Sequence, residues 1–196
     1  MKIIFINKKR LGVTLIIVGL MVVLLAFEKN FDNRLKLTLL IENNIKYLKQ
    51  YTVFQGELTY KLPSEWLTKE EKFAGKEIMY HNDFRTENLK INGFVQVIKI
   101  QKNLKEYLEE SKIISAKQNP VYDYSISAIK VKSFKGYLVD YRIEVQSGEL
   151  YRCNEYFLDL QGQIVRFSFF VNENNYKENM PAIFSTIVKT VEKVYE

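Results

Sequence analysis

The 196-residue chain contains a single cysteine, a single histidine and a single tryptophan. With only Cys153, no intramolecular disulfide and no cysteine-based zinc site can form. Its plain role is that of a small buried hydrophobe, and the alternatives are a thiol that reacts or pairs between chains. With only His81, any Ser-His-Asp arrangement must use that residue. Asp83 stands two positions on, on the same face of a strand. The strained G-x-S-x-G turn that would present a serine is missing. So are the acidic calcium loop and the glycine-rich loop that cradles phosphate. One histidine among scattered carboxylates gives no metal-ligand spacing. The paired acids Glu70-Glu71 and Glu109-Glu110 lie beside lysines and read as solvated helix faces. From the sequence, therefore, no catalytic, cofactor-binding or metal-ligating residue is assigned, and no cofactor is expected. Three prolines and eight glycines also leave no flexible linker, repeat or low-complexity stretch.

An excess of charge of one sign is nearly missing from the body of the chain. Residues 1–27 hold Lys2, Lys8, Lys9 and Arg10 and no acid, so the remaining 25 basic and 23 acidic residues differ by two. A nucleic-acid-binding domain wants a basic stripe. Here lysines and glutamates are interspersed, and no nucleic-acid partner is expected. What is abundant is hydrophobic side chain, 47% of the total, with 13 Tyr and 13 Phe. That composition supports a packed core rather than disorder.

The longest uncharged run is Leu11–Phe27, preceded by Lys8, Lys9 and Arg10. As a helix it spans about 25 Å, at the short end for a hydrocarbon core. A cleavable signal peptide has a shorter apolar core and a small-x-small site. The best candidate here, Leu24-Leu25-Ala26, has a bulky leucine where a small residue belongs. The run is therefore expected to be a retained transmembrane helix, with cleavage as the alternative. Positive flanking charge keeps residues 1–10 cytoplasmic and places the C-terminal domain outside.

Beyond the run, the spacing of Leu37, Leu40, Ile41, Ile45 and Leu48 predicts an amphipathic helix over 31–50, within a stalk covering 28–54. A strand through Leu35–Ile41 is the local alternative. In TYKLPSEW, Leu58 and Tyr60 alternate as in a strand, Pro63 ends it, and Ser64 caps a helical turn carrying Trp66 and Leu67. Trp66 reads as a core anchor rather than a ligand platform. Strands are expected over Glu77–Phe84 and Gly93–Gln101, the latter apolar on both sides, as suits a covered central strand. Asn103 and Glu106 open a helix with a capping-box pattern. Four strands follow: Ser125–Phe134, a turn at Lys135-Gly136, Tyr137–Gln146, a turn at Ser147-Gly148, Leu150–Leu160, a turn at Gln161-Gly162, and Gln163–Asn172. A closing helix has Pro181 in its first turn and a stripe from Ile183 through Val194 and Tyr195. These elements imply an α+β domain over 55–196, an antiparallel β-sheet covered by helices.

This order, with TYKLPSEW at its head and an amphipathic helix at its end, resembles the PsbP/Mog1-like α/β/α sandwich. In that family an opening strand runs into a proline-containing turn and a tryptophan, matched here by Pro63 and Trp66. The resemblance covers about 55–195. It implies a binding or assembly module, and it supplies no partner and no site residue.

The expectation is thus a single-pass membrane protein. Its N-terminal helix engages the lipid bilayer, and its extracytoplasmic domain serves as a non-catalytic binding or assembly module for an envelope protein. The tyrosines in and around the meander, among them Tyr122, Tyr124, Tyr137, Tyr141, Tyr151 and Tyr156, suit either sheet packing or a contact surface. Two alternatives stay open: a carrier or sensor of a small apolar ligand held between sheet and helix, and an envelope hydrolase using His81 or Cys153.

Overall fold

A computed structural model of the chain describes residues 47–194, together with Val18 and Met21. The expected transmembrane run 11–27 lies outside the described residues apart from those two, both helical and exposed. Among the described residues, no helix is long and apolar enough to cross a membrane.

Most of the domain is one antiparallel sheet. The strands are β1 (Leu48–Val53), β2 (Leu58–Pro63), β3 (Leu67–Glu70), β4 (Ile78–Arg85), β5 (Ile91–Lys99), β6 (Val121–Val131), β7 (Phe134–Glu144), β8 (Leu150–Asp159), β9 (Gln163–Asn172) and β10 (Glu192–Lys193). The α-helices within residues 47–194 are α1 (Leu104–Gln118) and α2 (Met180–Val188). Seven strands lie side by side as β3-β4-β5-β9-β8-β7-β6, and a second sheet of three is ordered β1-β2-β10. The meander β6–β9 pairs in sequence because its turns are short. Gln161 and Gly162 both take positive φ, as a two-residue turn matched to strand twist requires.

The large sheet has two covered sides. On β9, Val165, Phe167, Phe169 and Val171 alternate onto one face and are fully buried. That face receives α2, whose Met180, Ile183, Phe184, Ile187 and Val188 are buried at helical spacing. Phe184 stacks on Phe169 with centroids 4.2 Å apart. The second sheet covers the rest of this face through Tyr60, which stacks on Tyr51 and meets Phe167 edge-on. Tyr60 also accepts a hydrogen bond from Asn82 Nδ2 at 2.7 Å. Trp66 packs at 5.0 Å on Phe84 and is buried in this core. The opposite face receives α1, where Leu104 and Leu108 pack with Ile98, Val139, Phe157 and Ile164.

Several elements differ from the sequence reading, each for a local reason. Leu48–Gln50, the end of the helix expected over 31–50, begins β1, because Leu48 to Val53 pair residue by residue with β2. The folded unit therefore includes residues before 55; Tyr47 is not helical either, and residues 31–46 lie outside the described residues. Leu67 is strand rather than helical turn, and Glu70 is on β3 rather than a helix. The β6–β7 turn is at Lys132-Ser133, closed by the pair Val131↔Phe134. Gly136 sits inside β7, where a Cβ would lie 2.0 Å from the Phe157 carbonyl oxygen. It is a close-approach glycine, not a turn glycine. The closing helix stops at Val188. Thr190 Oγ1 accepts from Lys61 N at 2.8 Å, and the chain then fills the free edge of β2 as β10. Continuing the helix would leave that edge unpaired.

Candidate functional site

The face of the large sheet that carries α1 is only half covered. α1 lies over β5, β9, β8 and β7, and the segment between β3 and β4 folds back so that Phe73 meets the His81 ring edge-on at 4.9 Å. Between the two covers runs a continuous row of rings and a cation. His81 lies 5.1 Å from Phe94, Phe94 lies 5.9 Å from Phe170, and the Arg166 guanidinium sits over Phe94 at 4.9 Å and Phe157 at 5.3 Å.

Beneath α1 the sheet holds a buried charge. Glu155, 3% exposed, accepts hydrogen bonds from Tyr141 Oη, Ser168 Oγ and Arg166 Nε, each at 2.6 Å. Arg166 Nη2 closes on the same carboxylate at 2.5 Å. A buried carboxylate is tolerated only when its oxygens are satisfied and its charge is paired, and here both conditions hold. Burial, reinforced by the Glu155 charge, pushes the Tyr141 phenol well above its ordinary range. The alternation of β9 places Arg166 and Ser168 opposite the apolar residues, which reads as a solvent-facing side. Only the return of α1 over that side makes it an interior.

The residues considered for chemistry do not assemble. His81 is buried, its Nε2 meets Asp83 Oδ1 at 2.9 Å, and its Nδ1 meets Gln96 Nε2 at 3.1 Å. Since an amide nitrogen only donates, Nδ1 accepts and Nε2–H donates to Asp83. Both ring nitrogens are thus occupied. Cys153 is buried on β8, with β9 and β5 between it and the strand of His81. Three strand spacings separate them by at least about 14 Å. Burial and the nearby Glu155 push the Cys153 thiol up to about 12. Among the described residues, no group of three or more His, Cys, Asp or Glu is placed to hold a metal ion. The tyrosines of the meander form no single surface: Tyr124, Tyr137 and Tyr141 pack on the α1 side, Tyr156 is buried in the α2 core, and Tyr122 is exposed.

Two concavities lie on the half-covered face. One, of about 590 Å³, runs over β3, β4, β5 and β9, with Leu67, Phe94 and Phe170 as apolar lining and Lys69, Asp83 and Arg85 as polar lining. Leu67 is 48% exposed and Phe73 45%, so this end presents apolar surface to solvent. The other, of about 640 Å³, lies between α1 and the segment before β4, lined by Ile98, Ile100, Tyr107, Gln96 and Arg166 among others. A third cleft, of about 490 Å³, opens beside α2, where Asp140, Asn154 and Tyr176 adjoin Arg142 and Arg152. There the two arginines share Glu173, and Arg142 also pairs with Asp123 at 2.5 Å. Burial holds the Asp140 carboxyl above its ordinary value. None of these clefts is visible in sequence, because each is built from residues distant along the chain.

No protein-family model matches the sequence, and no curated protein matches it either. Solved structures do. The solution structure of cyanobacterial PsbP (CyanoP) from Synechocystis sp. PCC 6803 superimposes with a TM-score of 0.56 at 14% identity, covering 75% of this chain and 92% of that one. A crystal structure from Bacteroides thetaiotaomicron gives a TM-score of 0.48 at 15% identity, over 76% of this chain and 49% of that one. A Pseudomonas aeruginosa protein of unknown function gives 0.47 at 11%, over 76% and 99%. At these identities the likeness to CyanoP is one of fold. The domain has the PsbP-like fold, with antiparallel sheets and two short helices.

Proposed function

We propose that this PsbP-like domain is a non-catalytic binding module, held on the outer side of a cell membrane by the segment 11–27, and that it recognises an envelope protein through its aromatic groove. The observation that carries this reading is the groove of Leu67, Phe94 and Phe170 on the part of the sheet face that α1 leaves uncovered. A solvent-exposed apolar centre bounded by Lys69, Asp83 and Arg85 has the anatomy of a protein contact. The occupied nitrogens of His81 and the buried, protonated Cys153 agree with a module that binds rather than reacts. The test is a photo-crosslinking residue at Phe170 in the full chain in cells. One discrete adduct, lost on Leu67→Glu and absent from a probe at exposed Ser147, supports the reading. The same adducts from both positions would sink it.

A second reading, a carrier of a small ligand, is favoured by a different observation. The concavity of about 640 Å³ between α1 and the sheet is of a size that holds small molecules.

A further inference from the structure

Resting on that second reading, we infer that the cleft between α1 and the segment before β4 takes a small amphiphilic anion: a carboxylate or sulfonate head on a short hydrocarbon body. The argument is the division of its lining. Ile78, Ile98, Ile100 and Tyr107 supply the apolar part, with Ile98 buried in the α1 core and the others half-buried. Together they offer a surface for a hydrocarbon segment. The charged part is cationic in excess. Lys102 is neutralised by Glu110. Lys76 and Lys99 have no carboxylate partner among the described residues, and Glu77 is the single remaining acid of the lining.

Arg166 sharpens the preference. Glu155 occupies its Nε and Nη2, while Nη1 takes no hydrogen-bond partner among the described residues. The guanidinium is fixed between Phe94 and Phe157, so an incoming acceptor meets an already ordered donor. Gln96, also in the lining, is held by His81, which orients its amide. A neutral hydrocarbon would use the isoleucines and Tyr107 and leave the cations unanswered. A small inorganic anion would do the reverse. A cationic ligand would be repelled.

The test uses the full chain in lipid nanodiscs with isoleucine methyl groups labelled for NMR, and three probes: octanoate, octanol and acetate. Octanoate is expected to shift the methyls of Ile78, Ile98 and Ile100 to saturation, leaving exposed Ile113 and Ile114 unmoved. Octanol is expected to bind much more weakly, and acetate not measurably. The double variant Lys76→Glu with Lys99→Glu, altering two exposed side chains, is expected to weaken octanoate about tenfold and leave octanol unchanged. If octanol saturates as readily as octanoate, the anionic preference is overturned while the carrier reading stands. If neither moves the three methyls, both are overturned.

Discussion

Glu155 shows how much a single side chain can decide in this domain. Its carboxylate joins strands β7, β8 and β9 through Tyr141, Arg166 and Ser168. Glu155→Gln leaves the Arg166 charge without its partner, and urea unfolding should show a loss of about 3–5 kcal/mol. Asp123→Asn removes an ion pair whose aspartate is 69% exposed, and should cost less than about 1 kcal/mol. Titration gives a second handle. Tyr60 and Tyr141 hold their protons far above the ordinary tyrosine range, chiefly through burial. An unfolded tyrosine ionises near pH 10. Above that pH the folded state binds more protons than the unfolded state, so stability falls as pH rises. The fall should begin near pH 10 in denaturant titrations and be shallower in Tyr60→Phe. Little of this is legible in sequence. Alternation identifies Arg166 and Ser168 as the polar side of β9 but not that α1 returns over them. His81 and Asp83 are legible as neighbours on one strand face, because strand periodicity alone places them there.

At the scale of elements, the strands and turns set by local chemistry are readable. Gln161-Gly162 and Ser147-Gly148 stand between alternating runs and are the turns they look like. Asn103 caps α1 by accepting from Glu106 N at 3.0 Å. Where glycine serves packing instead of turning, the reading fails, as at Gly136. Gly136→Ala places a methyl against the Phe157 carbonyl, which no side-chain motion relieves. It should destabilise by about 3 kcal/mol or more, seen as a lowered thermal midpoint. β10 is unreadable for another reason: Glu192-Lys193 has no strand signal of its own and is drawn into place by the open edge of β2. The helix before it is readable from its stripe. Phe184→Ala, which empties the contact with Phe169, should cost about 3–5 kcal/mol in the same assay.

At the scale of the molecule, the sequence order of elements is enough to suggest the PsbP-like sandwich, since hairpins fix most of the sheet. The second sheet is not suggested, because β1 and β10 come from opposite ends of the domain and meet on β2. The same long-range assembly creates the aromatic groove and the cleft beside α1, so the surfaces proposed to carry function are the least visible from sequence. The account as a whole depends on where those surfaces face. The most direct measurement is protease treatment of intact cells stripped of any outer barrier, followed by detection of both ends of the chain. The account predicts full-length protein in the membrane fraction whose domain is digested from outside while a short N-terminal fragment stays protected. A domain that resists protease until the membrane is opened, or a shortened form released into the medium, would contradict it.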